Sequence, residues 1–339
     1  MAGMVIIILS VLTGVFAYFI APDNTPNADR QIVEIQAKHP GYKQLFLRVR
    51  KERVIASIGL FTQLLYGKED AYTYVPINSY TVEGDSVIAT KYIDEDVSER
   101  RAYHKSQLAE KDMVVRRTFL LGTDRFGRDI LSRLIIGIRV SLAVGLISVL
   151  ISLTIGVFLG AIAGYFGGRT DNIIMWLINV IWSIPTLLLV FGMTLALGKG
   201  FWQIFIAVGI TLWVNVARLI RGQVLAIKKL EYIQAAKALG FRNSRIIFRH
   251  ILPNVTGPVI VIAASNFATA IIIEAGLSFL GIGVQPPTPS WGAMIKDHYN
   301  FIITHNPMLA LAPGIAIMIL VLAFNLLGNG LRDAFDVRS

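Results

Sequence analysis

The chain has 339 residues, 54% of them apolar and only 16% charged, against roughly 25% charged in an average soluble domain. Its formal net charge is +10, yet the basic residues gather in one loop between apolar runs, which is the mark of membrane topology and not of a nucleic-acid surface. The lack of cysteine excludes disulfides, thiolate metal sites and cysteine nucleophiles, and the five histidines are scattered with no pair at metal-ligand spacing, so an enzyme is not expected.

A bilayer core of about 30 Å needs about 20 apolar residues at 1.5 Å rise each. Six stretches qualify, at roughly 4–21, 138–165, 172–197, 201–220, 256–281 and 308–328. The expected fold class is therefore an all-α integral membrane protein with six transmembrane helices. The first stretch, taken as residues 1–21, lacks a positively charged n-region and exceeds the usual h-region length, which favours an uncleaved helix over a secretory signal.

Residues 22–120 form a polar stretch too long for a connector, with 15 Lys/Arg against 14 Asp/Glu. Tyr72–Tyr80 and Val87–Tyr92 are rich in β-branched and aromatic residues and flank Glu83-Gly84-Asp85, the pattern of a hairpin. Helices are expected on either side, near 42–66 and 96–113, giving a small α+β insertion. Next, Asp124, Arg128 and Asp129 alternate charge in a Gly-flanked turn. A metal or phosphate site is conceivable there, and a salt-bridged cap on the second helix is the preferred reading. In that second helix Gly145, Gly156, Gly160 and Gly164 let neighbouring backbones approach.

Pro185 falls inside the third span and predicts a kink, because it removes one backbone hydrogen bond. Residues 218–254 then carry eight Lys/Arg (Arg218, Arg221, Lys228, Lys229, Lys237, Arg242, Arg245, Arg249) against the single acid Glu231. The positive-inside rule places this loop in the cytoplasm. Counting spans outward puts both termini and Arg169, Arg332 and Arg338 inside too, and residues 22–120 outside. Arg125, Arg128, Arg133 and Arg139 oppose that assignment, but eleven basic residues inside outweigh four outside.

Within the loop, taken as residues 221–254, Tyr232, Ala235, Ala236 and Leu239 share one helix face. Gly240 follows as a left-handed C′ residue. A second short helix, about 244–251, is expected to start behind Asn243 or Ser244 as N-cap and to stop before Pro253. Spacing alone favours an amphipathic helix resting on lipid headgroups; a docking surface for another protein is the alternative. Glu274 is the clearest carboxylate within an apolar run. A proton relay would need a partner at similar depth, so a hydrogen-bonded structural role near the external interface is preferred. Gln285–Pro289 reads as a rigid external turn before Trp291, an interface anchor.

The stretch QAAKALGFRNSRIIFRHILPN, Gln234 to Asn254, resembles the EAA loop of ABC importer membrane subunits. Ala235, Ala236, Gly240, Leu252 and Pro253 fall in register with that pattern, while Gln234 replaces its Glu and His250 stands where the general pattern has Ile. LGTDRFGRDILSRLIIGIRVSL, Leu121 to Leu142, and EAGLSFLGIGVQPPTPSWGAMI, Glu274 to Ile295, resemble segments of the oligopeptide/dipeptide/nickel branch. The resemblance covers about 118–339 and points to the "C"-type permease of a peptide importer. It implies a type I core of helices two to six over 121–339, with the loop around Glu231, Gln234, Ala235, Ala236, Gly240, Arg242 and Pro253 as the ATPase-coupling element.

The same resemblance implies a homologous second permease, two cytoplasmic ABC ATPase subunits and an extracytoplasmic solute-binding protein as partners. Peptide is the implied substrate, with nickel or another small solute as the alternative. No cofactor is expected on this chain, ATP and Mg being held by partner subunits, and no GxxxxGK[ST] occurs. Relatives usually carry a polar tail before the first helix where this chain has three residues, which leaves open a start upstream. The 22–120 segment has no counterpart in the resemblance. A self-contained secondary transporter is the competing class; it would need paired ionisable residues at the midplane, and only Glu274 is on offer.

Overall fold

A computed structural model describes the whole chain except residues 54, 56, 57, 199, 304, 305 and 336–339; Arg338 of the expected cytoplasmic tail lies outside the described residues. The chain divides into two compact units. One holds residues 12–140 and 286–316, the other residues 1–11, 141–285 and 317–339.

The first apolar stretch forms α1 (Ala2–Val15) and, after a break at Phe16, the single turn α2 (Ala17–Ile20). At 14 residues, α1 is shorter than the ~20 a bilayer demands. In the sheet unit, β1 (Tyr42–Arg50), β2 (Tyr72–Glu83), β3 (Ser86–Asp94), β4 (Val97–His104) and β5 (Val114–Phe119) form one antiparallel sheet in the order β4-β3-β2-β1-β5. The hairpin read from the sequence is β2–β3, closed at Glu83–Ser86.

The stretches near 42–66 and 96–113, expected to be helical, carry the strands β1 and β4. Among the described residues only α3 (Leu60–Tyr66) and a single turn at Lys105–Gln107 are helical there. One feature hid β1 and another hid β4. β1 carries consecutive apolar residues, Leu45-Phe46-Leu47, because both faces of the sheet are covered, so the period of two that marks a strand is lost. Phe46 packs with Ile32, Ile35, Tyr74, Tyr92 and Phe119 on one face. Leu47 packs with Ile77, Val87, Ala89 and Leu108 on the other. β4 is exposed along nearly its whole length and shows no apolar stripe to read.

Beyond the sheet come α4 (Ile130–Phe166), α5 (Gly168–Trp182), α6 (Thr186–Leu197), α7 (Phe201–Ile227), α8 (Glu231–Ala238), α9 (Asn243–Ile246), α10 (Thr256–Phe279), α11 (Trp291–His298) and α12 (Met308–Phe335). Among the described residues four continuous helices are long and apolar enough to cross a membrane: α4, α7, the run from Asn243 to Phe279, and α12. The expected third span is not one kinked helix. α5 and α6 are bent by 92° at a break over Ser183, Ile184 and Pro185, and Pro185 stands as the extended N-cap of α6. Lacking an amide hydrogen, it cannot continue the ladder of α5. Of the six expected spans, four qualify by length and composition among the described residues, or five if the bent pair counts as one.

The small-residue stripe of the second span is used as read. A Cβ on Gly156, Gly160 or Gly164 would come within 2.7, 2.5 and 2.9 Å of the carbonyls of Trp213, Ala217 and Arg221. Contact that close between α4 and α7 requires glycine at the crossing.

Candidate functional site

The basic loop is built on a buried apolar base. Ile233 and Ala236 of α8 join Tyr165, Ile220, Val224, Ile246, Ile251 and Val255 in one cluster. Ala236 is 6% exposed, so the face expected to hold Tyr232, Ala235, Ala236 and Leu239 together is corrected. Ala236 faces the core, while Tyr232, Ala235 and Leu239, at i, i+3 and i+7, share the exposed side. Gln234 and Glu231 are exposed beside them. Glu231 opens α8 in its first turn, where a carboxylate complements the helix dipole.

Gly240 has φ +77°, the left-handed conformation its position called for. The Phe241 amide donates to the Ala236 carbonyl at 3.1 Å and the Gly240 amide to that of Lys237 at 2.9 Å. Those two bonds complete a Schellman motif, and Phe241 packs back onto the Ala236 cluster as its apolar clasp. The cap turns the chain so that Leu239, 74% exposed, projects outward beside the exposed Arg242.

The second helix departs from expectation at both ends. Its N-cap is Arg242, extended at φ −61°, ψ 142°, and not Asn243 or Ser244. The Asn243 side chain is otherwise engaged: its Oδ1 accepts from the Tyr165 hydroxyl at 2.8 Å. Nor does Pro253 stop the helix. The chain runs from α9 through a π-turn (Ile247–Ile251) and a 3₁₀ turn (Leu252–Val255) into α10. The wider π ring relieves the clash between the Pro253 ring and the preceding turn. His250 stacks flat on Phe241, ring centroids 6.3 Å apart at 16°, and Phe248 stands 66% exposed.

Three contacts that the sequence did not suggest hold this region to its neighbours. Lys228 Nζ donates to the Tyr165 carbonyl at 2.5 Å. Arg221 donates two parallel bonds to Asp171, 2.5 and 2.6 Å long, in the fork geometry that makes Arg–carboxylate pairs strong. Arg218 covers the Trp182 ring at 3.5 Å. Arg218 and Arg221 entered the sequence reading only as topology charges. The weak signal for the pair was Asp171, a carboxylate at the start of an apolar run.

Glu274 is fully buried. Its Oε1 accepts from Ser278 Oγ at 2.7 Å, and Ser278 Oγ accepts in turn from the Val284 amide at 3.2 Å. The carboxylate thus holds Ser278, which fastens the end of α10 to the turn that follows. Trp291 is not an interface anchor. It is 3% exposed, and its Nε1 donates to the Leu134 carbonyl at 2.9 Å.

The charged turn before α4 is the salt-bridged cap favoured by the sequence. Asp129 Oδ2 accepts from the Ser132 amide at 2.9 Å, the N-cap bond of α4. Arg128 pairs with Asp124 at 2.6 Å and with Asp29 at 2.9 Å, and Arg125 pairs with Asp297 at 3.1 Å. Burial pushes the Asp129 carboxyl above its ordinary range, opposed by its bonds from Ser132. Among the described residues no cluster of His, Asp or Glu is arranged to hold a metal.

The sequence profile of the family described as "Binding-protein-dependent transport system inner membrane component" matches residues 156–339. The chain is 41% identical over 237 residues to the oligopeptide transport system permease protein OppC of Bacillus subtilis, covering 70% of this chain and 77% of that protein. It is 45% identical over 215 residues to the dipeptide transport system permease protein DppC of Alkalihalophilus pseudofirmus, covering 63% and 70%. To the glutathione transport system permease protein GsiD of Pectobacterium atrosepticum it is 44% identical over 216 residues, covering 64% and 71%. Among solved structures, an inward-facing MetNI methionine ABC transporter chain aligns at TM-score 0.49 and 20% identity, covering 59% of this chain and 95% of that one. By its profile match and its relatives, this multi-pass chain belongs to the inner-membrane components of binding-protein-dependent transport systems, the permease subunits of ABC importers.

Proposed function

We propose that this chain forms half of the pathway of an ATP-driven peptide importer and couples it to ATPase subunits through α8. The observation that carries the reading is the split character of that helix. Ile233 and Ala236 anchor it in the core, while Tyr232, Ala235 and Leu239 remain exposed on the opposite side. An apolar face on a helix so firmly held, between basic residues, suits a docked protein better than free water. Relatives named for oligopeptide, dipeptide and glutathione transport support a peptide substrate.

In this reading a homologous permease supplies the other half of the pathway. Two cytoplasmic ATPases hold ATP and Mg, and an extracytoplasmic binding protein delivers peptide. The loop and both termini lie in the cytoplasm, α1 and α2 together make a peripheral first crossing, and residues 22–120 lie outside. ATP closure draws the paired loops together and opens the central cavity outward; hydrolysis resets it inward. Gln234 leaves docking to shape, since the acid at that position in relatives is absent.

Co-purification tests the coupling. Tagged chain extracted in mild detergent should retain an ATPase subunit, and consistent failure to do so would sink the reading. Uptake of labelled dipeptide and of nickel by cells lacking the chain separates the substrates: loss of nickel uptake alone would replace peptide by the metal ion.

A further inference from the structure

The sheet unit contains a cavity of about 170 Å³ lined by Arg30, Arg117, Asp23, Asp129, Phe119 and neighbouring residues. All of them precede residue 156, where the family profile match begins, while Asp129 falls in the Leu121–Leu142 stretch that resembles the peptide-permease branch. A cavity of roughly 150 Å³ accepts a benzene-sized guest, and this one therefore suits a molecule of amino-acid size.

Its polar wall holds two arginines and two aspartates, unevenly paired. The Arg117 guanidinium donates to the Pro22 carbonyl at a long 3.5 Å. Among the described residues no carboxylate oxygen comes within 4.0 Å of its guanidinium. Arg30 pairs through Nη2 with Asp70 at 2.7 Å and Asp23 at 3.4 Å, but its Nη1 is buried with no hydrogen-bond partner among the described residues. Both guanidiniums lie against the one ring of Tyr74, at 4.3 and 4.4 Å from its centroid. Burial, and then repulsion from Arg30, hold the Arg117 pKa below its ordinary value. A buried guanidinium without an anion is costly. Arg117, with no carboxylate in reach, and the unused Nη1 edge of Arg30 meet around the Tyr74 ring and offer a planar, two-point grip of the kind that carboxylates fill. On the same wall Asp129 spends its Oδ2 on Ser132, while its Oδ1 makes no hydrogen bond among the described residues.

We propose that this cavity binds a small carboxylate, clamped by Arg30 and Arg117, with Asp129 facing the ammonium of a zwitterion. The ligand is a free amino acid or the C-terminal residue of a short peptide.

The test uses the full chain in nanodiscs of uncharged phospholipid, with calorimetric titration of L-alanine, L-alanyl-L-alanine, propionate, L-alaninamide and inorganic phosphate. Alanine, the dipeptide and propionate should bind saturably, and alaninamide should not. Arg117→Gln should weaken carboxylate binding at least about tenfold, as loss of a charge-assisted bidentate contact does, and Arg117→Lys should weaken it less. Tighter binding of the dipeptide than of alanine assigns the site to peptide C-termini; the reverse assigns it to free amino acids. Unchanged affinity in Arg117→Gln, equal binding of alaninamide, tighter binding of phosphate, or no saturable carboxylate binding would each overturn the proposal. Should Arg117→Gln fail to fold, modification of the unaltered chain by phenylglyoxal decides. Propionate should protect Arg117, and unprotected modification at saturating propionate would count against the site.

Discussion

The Tyr165 hydroxyl donates to Asn243 Oδ1 at 2.8 Å, and so ties the end of α4 to the first residue of α9. The same tyrosine receives Lys228 on its carbonyl, so two segments of the basic loop meet at one residue of α4. Tyr165→Phe keeps the ring in its cluster and deletes only the hydroxyl. We expect a stability loss of about 0.5–1.5 kcal/mol, read as a lowered thermal midpoint, with ATP hydrolysis retained and uptake per ATP reduced. An unchanged ratio of uptake to hydrolysis would show that the tie has no part in coupling.

Ala235 and Ala236 are adjacent in sequence and opposite in environment. Ala235→Glu should leave the fold intact and weaken retention of the ATPase subunit. Ala236→Glu would bury a carboxylate among Ile233, Ile246 and Ile251 and should abolish accumulation of the protein. Equal behaviour of the two variants in expression and co-purification would contradict the two-faced helix.

Gly240 has open space where a Cβ would stand, so a side chain there costs only backbone strain. That strain is about 1–2 kcal/mol for an L-residue in the left-handed region, more for a β-branched one and less for asparagine. Gly240→Val should insert normally and uncouple ATP hydrolysis from uptake, while Gly240→Asn should lie closer to the unaltered protein. Normal uptake by the valine variant would remove the cap from the coupling scheme.

Arg221 and Asp171 tie α7 to α5 ahead of the Pro185 break. Arg221→Met leaves a carboxylate that is 15% exposed without its partner, and should cost about 1–3 kcal/mol. Adding Asp171→Asn should recover part of that loss. A double-mutant cycle on thermal stability with no coupling energy would show the pair to be incidental.

His298 supplies a pH dependence. Its Nδ1 donates to the Met294 carbonyl at 2.7 Å. Burial pushes its pKa below the ordinary value, with Asp124 and Asp297 opposing and Arg125 assisting. The fold therefore favours the neutral ring. The resulting stability is complete above the unfolded value near 6.5 and is lost as pH falls from there toward the lower folded value. Between pH of about 7.5 and 5.5 the thermal midpoint should drop further in the unaltered chain than in His298→Gln, by at most about 1.4 kcal/mol per pH unit. Equal drops would assign the dependence to other groups.

The sequence by itself determined the membrane class, the glycine crossing on α4, the left-handed Gly240 and the capped turn before α4. Each of these is local chemistry: apolar length, close approach, a positive φ, or a side chain returning to its own helix. The residues of α8 were legible but their sides were not. Helical spacing groups Ala235 with Ala236, and only packing against Tyr165, Ile220 and Val224 turns one inward and leaves the other exposed. The strands at 42–50 and 97–104, the burial of Trp291, and the meeting of Arg30 and Arg117 around Tyr74 were decided by tertiary structure. They join residues up to 157 positions apart, as Trp291 and Leu134 are, and no local preference encodes contact at that range.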